Sequence, residues 1–228
     1  MKKVGIIGGI GPASTLDYYS GIIDKYRAKT NDDNYPEIVI NSINMTEMLL
    51  YVAQEDWDSL ANMLVNAIKN LKSAGADFAA IASNTPHIVF EAVKKEAALS
   101  IISIVEETCK YAKAQGCEKV VVIGTRFTMS SGLYTKALKQ HGITAVVPRE
   151  SLQQTIHNLF FPNLENGIVV PKDKQTMIEI VSRLVVEHCA DAIVLGCTEL
   201  PLMIKVGDVD TLILDTTQIH INSIVDFM

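Results

Sequence analysis

Short apolar runs separated by longer amphipathic stretches recur along this chain. Val4–Gly8 is apolar and runs into Gly9-Ile10-Gly11-Pro12, the pattern of a buried parallel strand and a tight turn. Pro12 stands where a helix can begin without losing a hydrogen bond. Leu16, Tyr19, Ile23 and Tyr26 recur at helical spacing, so residues 13–28 are predicted to lay a helix on the sheet. Residues 37–41 read as a second strand. Leu60, Leu64, Ile68 and Leu71 mark one face of a helix that stops at Gly75. Residues 78–82 form another strand, Ser83–His87 its turn, and a helix starts at Val89. The second half alternates likewise, with strands at 119–123, 145–147, 192–195 and 211–214 and helices at 131–140, 174–188 and 216–227. Strand–helix alternation throughout predicts an α/β protein with parallel sheets.

The alternation is duplicated. Ala76-Asp77-Phe78-Ala79-Ala80-Ile81-Ala82-Ser83-Asn84-Thr85 returns as Ala190-Asp191-Ala192-Ile193-Val194-Leu195-Gly196-Cys197-Thr198-Glu199, at an offset of 114 positions (83 to 197). Upstream, Val4–Gly9 answers to Val120–Thr125. The chain therefore reads as two pseudo-symmetric parallel-sheet α/β domains with the active site in the cleft between them, each half bringing a hydroxyl or thiol to one small substrate. The repeat assigns residues 1–100 plus 210–228 to the first domain and 101–209 to the second. The last strand and helix lie outside the second repeat and are read as returning to the first domain.

Composition narrows the function. Of 228 residues 48% are hydrophobic and 20% charged, enough apolar side chain for two cores. A net charge of −6 with no Lys/Arg-rich run offers no field for nucleic acid or an anionic membrane. The N-terminus lacks the apolar stretch and cleavage site of a signal peptide, and the apolar runs are shorter than a membrane span; a cytoplasmic protein is expected. Cys109, Cys117 and Cys189 read as ordinary small apolar residues. Cys197 differs, because it lies beyond a strand at a Gly-Cys-Thr turn.

In open α/β sheets ligands bind beyond the carboxyl ends of the strands, where helix N-termini point. Gly8–Gly11, Ser83–His87, Gly124–Thr128 and Gly196–Glu199 all fall at such ends. Their backbone N–H groups suit a carboxylate, and Asn84, Thr85, Thr125, Thr128 and Thr198 add side-chain donors, although each could equally serve as a helix cap or turn residue. Gly9-Ile10-Gly11-Pro12-Ala13-Ser14 departs from a dinucleotide fingerprint, since Ser14 replaces the third glycine and Pro12 removes a donor. The five histidines have no metal-ligand spacing. His87 is placed to support its neighbours rather than to react.

Gly8-Gly9-Ile10-Gly11-Pro12, Ser83-Asn84-Thr85-Pro86-His87, Gly124-Thr125 with Thr128, Gly196-Cys197-Thr198-Glu199 and Asp215-Thr216-Thr217 together resemble the ordered motifs of the aspartate/glutamate racemase superfamily, over essentially the whole chain. The resemblance implies a racemase that removes and returns an amino acid's α-proton without pyridoxal phosphate; no metal or other cofactor is expected. It implies a homodimer, a small amino-acid substrate, aspartate or glutamate foremost, and catalytic side chains at Ser83 and Cys197. Ile10, Asn84, Thr85, Thr125 and Thr198 are implied to hold the substrate.

Typical members carry cysteine at both catalytic positions, and here the first is Ser83. A thiol can be tuned to ionise near neutral pH, whereas a serine hydroxyl needs a neighbouring base. Cys197 is therefore the base, and Ser83 can relay a proton or orient water. Asn44–Gln54 contains no Lys, Arg or His, and Ser151–Val170 offers only His157, so no clamp for a side-chain carboxylate stands out. Met45, Met48, Leu49, Leu50 and Val52 suggest an apolar wall or the core face of a helix, which keeps a neutral amino acid open. A single-cysteine decarboxylase or lyase of the same superfamily and a weakly active carboxylate-binding protein are the alternatives.

Overall fold

The computed structural model describes residues 1–31, 33–164 and 167–228. The chain divides into two compact units, Met1–Ile104 with His220–Met228, and Val105–Ile219.

The first unit is built on a parallel sheet ordered β2-β1-β3-β4, with β1 Val4–Gly8, β2 Ile38–Ser42, β3 Phe78–Ile81 and β4 Ser100–Ile102. Period-two alternation sends successive side chains of β1 and β3 to opposite faces. Ile7, Ala79 and Ile81 pack with Leu60, Leu64, Ile68 and Leu71 of α3 (Trp57–Ser73), all four of them buried as their spacing predicted. Val4, Ile6, Phe78 and Ala80 pack on the other face with Tyr18 and Ile22 of α1 (Pro12–Thr30) and with Ile221, Ile224 and Val225. Here the expected helical face shifts. Ser14, Tyr18 and Ile22 are the buried stripe of α1, while Leu16 and Tyr19 are exposed. The Tyr18 hydroxyl explains part of the shift, for it donates to His220 Nδ1 at 2.7 Å inside the core. His220 Nε2–H in turn donates to the Ile102 carbonyl at 3.0 Å, so α1 and β4 hold the returning end of the chain through one neutral imidazole. In α2 (Met45–Ala53) Met48 is buried in the core and Tyr51 and Val52 pack against it partly buried, while Met45, Leu49 and Leu50 are exposed. Thr85–Val89 forms a 3₁₀ turn, followed by α4 (Phe90–Glu96).

The second unit repeats this plan. α5 (Ile104–Ala114) leads into a parallel sheet ordered β6-β5-β7-β8, with β5 Lys119–Ile123, β6 Thr144–Val146, β7 Ala192–Leu195 and β8 Leu212–Asp215. Between them lie α6 (Arg126–Ser130), α7 (Leu133–Gln140), α8 (Glu150–Asn158), α9 (Pro171–His188) and α10 (Leu200–Met203). Val121, Ile123, Ile193 and Leu195 meet Ile156 of α8 and Met177, Ile180, Val181 and Leu184 of α9 in one core. The last strand does not return to the first sheet, as the repeat had suggested. β8 pairs with β7 from Leu212 opposite Ala192, just as β4 pairs with β3 from Ser100 opposite Phe78. The duplicated unit thus has four strands, and only α11 (Thr216–Phe227) carries the chain back, from His220 onward. Cys109 and Cys117 are buried, but Cys189 is exposed, in left-handed conformation (φ 49°) at the C-cap of α9 rather than in a core.

Candidate active site

The two sequence-matched turns are anchored identically within their own units. The Ala82 N–H donates to the Ile7 carbonyl at 3.0 Å, and the Gly196 N–H to the Ile123 carbonyl at 2.7 Å. Each bond ties the end of one strand to the neighbouring strand, so the residue that follows, Ser83 or Cys197, leaves the sheet at the same register. The repeated aspartates anchor the opposite end of these strands. The Asp77 N–H donates to the Lys3 carbonyl and the Asp191 N–H to the Lys119 carbonyl, both at 2.8 Å. Asp77 Oδ2 accepts the Lys3 N–H at 2.7 Å, and Asp191 Oδ2 accepts the N–H groups of Glu118 and Lys119 at 2.8 Å. The Asp of the repeat thus acts as a scaffold residue for the strand whose far end leads to Ser83 or Cys197, six residues later.

In the second unit Thr125 follows β5, and Cys197 and Thr198 follow its partner β7. Thr125 caps α6, accepting the Thr128 N–H at 3.4 Å. A side chain at Gly124 would bring its Cβ within 3.0 Å of the Gly196 carbonyl, and one at Gly196 would come within 2.8 Å of the Thr128 methyl, so both glycines are required for the two turns to lie this close. Cys197 is half-buried. Its thiol donates to Glu199 Oε2 at 3.0 Å, and Thr198 Oγ1 donates to the same oxygen at 3.0 Å. Burial first, then the Glu199 charge and its hydrogen bond, push the thiol well above the ordinary thiol range, while hydrogen bonds from the backbone N–H groups of Glu199 and Thr198 pull the other way. Just after β8, the strand paired with β7, Thr216 Oγ1 donates to the Leu195 carbonyl at 2.9 Å, and Thr217 Oγ1 is buried with no hydrogen-bond partner among the described residues.

In the first unit Ile10 follows β1, where Gly9 takes a positive φ of 85°, and Ser83, Asn84 and Thr85 follow the adjacent β3. Ile10 and Asn84 are buried, while Ser83 and Thr85 are half-buried. Ser14 Oγ donates to the Ala82 carbonyl at 3.2 Å. His87 is buried and stacked on Phe90, and its ring nitrogen Nδ1 lies 2.9 Å from the Ser83 carbonyl. A carbonyl can only accept, so Nδ1 carries the hydrogen and Nε2 is a bare acceptor, buried with no partner among the described residues. Burial, then the neighbouring His220, holds His87 down to about 3. It supports the turn as a neutral ring.

The sequence-matched residues are thus gathered in two sets, Ile10, Ser83, Asn84 and Thr85 in one unit and Thr125, Cys197 and Thr198 in the other. Two contributors were not singled out by sequence. Glu199 stood inside a recognised motif, but its direction toward Cys197 is visible only in three dimensions. Arg126 directly follows Thr125, yet its guanidinium turns to Glu150 Oε1 and Gln154 Oε1, each at 3.4 Å. The Arg126 N–H meets His157 Nδ1 at 3.4 Å, and burial followed by the Arg126 charge lowers the His157 pKa. Among the described residues, no group of three or more His, Cys, Asp or Glu side chains could hold a metal ion, and no helix is long and apolar enough to cross a membrane.

Comparison with known proteins identifies close relatives of this arrangement. The sequence matches the Asp/Glu/Hydantoin racemase family over residues 7–224. It is 30% identical to the broad specificity amino-acid racemase RacX of Bacillus subtilis over 203 residues, covering 86% of this chain and 85% of that protein. The fold superimposes on an aspartate racemase homologue of Pyrococcus horikoshii with a TM-score of 0.89 at 36% identity, covering 100% of this chain and 99% of the other. A putative Asp/Glu racemase of Yersinia pestis gives a TM-score of 0.92 at 29% identity, with coverage of 100% and 99%.

Proposed function

The chain belongs to the Asp/Glu/Hydantoin racemase family, whose named members are amino-acid racemases and hence isomerases, and we propose that it racemises a free amino acid without a cofactor, with Cys197 as the thiol base and acid and Ser83 at the opposing position. The observation that carries this reading is the matched anchoring of the two turns, Ala82 to Ile7 and Gly196 to Ile123, which makes Ser83 and Cys197 equivalent positions of a duplicated fold. Cys197 removes the α-proton from one face of Cα. Ser83, whose hydroxyl does not ionise unaided, donates or relays a proton to the other. Backbone N–H groups after the strands, with Ile10, Asn84, Thr85, Thr125 and Thr198, hold the α-carboxylate and α-amino groups. The protein works as a homodimer in the cytoplasm.

Family membership favours aspartate or glutamate as the substrate. A second reading, amino acids with uncharged side chains, has its own support: residues 44–54 contain no basic side chain, and the Arg126 guanidinium is engaged by Glu150 and Gln154. Proton NMR of purified protein with a panel of L- and D-amino acids in heavy water decides between them. A racemase replaces the α-hydrogen of its substrate with deuterium; release of carbon dioxide in place of exchange would indicate a lyase, and neither would indicate a binding protein.

A further inference from the structure

Asp215-Thr216-Thr217 stands at the end of β8, beside the strand that leads to Cys197. Ile123, Leu195 and Asp215 lie abreast on β5, β7 and β8. Two residues beyond each come Thr125, Cys197 and Thr217, so three neighbouring strand ends carry a hydroxyl, a thiol and a hydroxyl. The start of α11 is fixed against this edge. Thr216 Oγ1 donates to the Leu195 carbonyl at 2.9 Å, and the buried Tyr134 hydroxyl is hydrogen-bonded to Thr216 and Thr108. Asp215 Oδ1 accepts the Gln218 N–H at 3.0 Å. Thr217 differs from these neighbours. It is only 4% exposed, yet its Oγ1 has no hydrogen-bond partner among the described residues.

A buried hydroxyl without a partner costs free energy that the neighbouring hydroxyls avoid, and a native fold retains one where a ligand completes it. From its place in line with Thr125 and Cys197, we infer that Thr217 is a further substrate-binding residue whose Oγ1 accepts a hydrogen bond from the substrate's α-ammonium group. The inference rests on the reading of the Cys197 strand end as the place where the amino acid binds. A hydroxyl can donate or accept, and the surrounding charge decides between the two. Asp215 lies two residues before Thr217 and Glu199 two residues after Cys197, while the Arg126 guanidinium turns to Glu150. Acidic surroundings favour a cation over a carboxylate. Substrate then completes the hydrogen bonding that the free protein lacks at this position.

Thr217→Val replaces the hydroxyl with a methyl group of nearly the same shape, and Thr217→Ser keeps the hydroxyl. The probes are the amino acid whose α-hydrogen exchanges fastest and the 2-hydroxy acid of the same side chain (lactate for alanine, malate for aspartate), which has no ammonium. Thr217→Val should raise KM for the amino acid about tenfold or more, the scale of a hydrogen bond to a charged group, with kcat changed far less. Its urea-unfolding midpoint without ligand should be unchanged or higher, since no bond of the free protein is lost. Thr217→Ser should regain most of the affinity. Competitive inhibition by the hydroxy acid should be equally strong in the parent and Thr217→Val, and calorimetric titration of both molecules reads the same contrast without turnover. A lower unfolding midpoint in Thr217→Val would mean that the hydroxyl serves the fold, through a buried water, and would overturn the inference, as would a parent-like KM. Equal weakening of the amino acid and the hydroxy acid would overturn the assignment to the ammonium. Exchange surviving in Cys197→Ala would instead overturn the reading of Cys197 itself, whereas a dead Cys197→Ala beside a parent-like Thr217→Val defeats only this inference.

Discussion

The Ser83 turn and the Cys197 turn share a backbone and differ in almost everything attached to it. Each follows a four-residue strand tied to the neighbouring strand by one N–H donated to an isoleucine carbonyl. Around Ser83 the supporting groups act on the main chain: Ser14 bonds the Ala82 carbonyl and a buried neutral His87 bonds the Ser83 carbonyl. Around Cys197 they act on the side chain itself, through Glu199 and two N–H groups. Duplication preserved the position and let the surroundings diverge. One turn sets an ionisable carboxylate against its side chain, and the other braces the backbone that carries its side chain.

The strongest way to break this comparison is to remove the thiol. Cys197→Ala should abolish α-deuterium exchange, a loss of about 100- to 10,000-fold, while leaving the fold unchanged by circular dichroism. Cys189→Ala, at an exposed helix C-cap, should leave the rate as it was. Near-parent exchange in the Cys197 variant would remove the asymmetry altogether.

The buried histidines supply the next largest effect, and it belongs to the first unit. Burial holds His87 to about 3 and His220 to about 4, whereas an unfolded histidine titrates near about 6.5. Both are neutral in the fold at pH 5 but protonated in the unfolded chain. The unfolded state thus binds more protons as pH falls through the window from about 6.5 to the folded values, and stability is fully present above it and lost within it. At about 1.4 kcal/mol per pH unit for each histidine, moving from pH 7 to pH 5 should cost on the order of 4 kcal/mol. Urea unfolding at the two pH values measures the total. Amide hydrogen exchange should report the first unit losing protection before the second, and simultaneous loss would contradict this assignment.

Much of this was legible in the sequence, and the misses have physical causes. The α3 face and strands β5 and β7 were plain because apolar runs buried on both faces leave little ambiguity. The equivalence of Ser83 and Cys197 was legible because the flanking Ala-Asp pairs hold the same strand ends. β4 was not, since Ser100-Ile101-Ile102 is too short to declare itself, and without it β8 looked like an extra strand rather than its counterpart. The packed face of α1 was misjudged because Tyr18 buries a polar tip that meets His220, some 200 residues away in the chain. Glu199 was visible as a letter but not as a partner, for the direction of a side chain in a turn is set by its surroundings.

Restoring a second thiol sharpens the comparison in the opposite sense. If, as proposed, Cys197 serves one face of the substrate and Ser83 the other, the enantiomer whose α-hydrogen points at Cys197 should exchange faster than its mirror image. Ser83→Cys should raise the slower exchange by roughly tenfold or more, since it supplies an ionisable group where none exists. The equilibrium between enantiomers stays fixed by symmetry, so the change appears in exchange rates and in separate kcat and KM values. Equal rates in the parent, unmoved by Ser83→Cys, would mean that Ser83 does not hold the opposing position.

The smallest effect concerns the aspartates that the two halves share. Asp77 accepts one backbone N–H and Asp191 accepts two, and both are exposed. Hydrogen bonds to a charged group are worth about 1.5–3 kcal/mol when shielded; solvent exposure reduces that, so Asp191→Ala should cost about 1 kcal/mol and Asp77→Ala roughly half as much. The bonds from Lys119 and then Glu118 hold the Asp191 carboxyl below its usual pKa. Its contribution is therefore present above about 3.8 and is lost as pH falls through the lower folded value, a window that lies below the one set by the histidines. Chemical denaturation at neutral pH should rank the two variants, and α-deuterium exchange should persist in both. If Asp191→Ala instead silenced exchange while remaining folded, the repeated aspartate would be part of the chemistry rather than the anchor that lets two different turns stand in the same place.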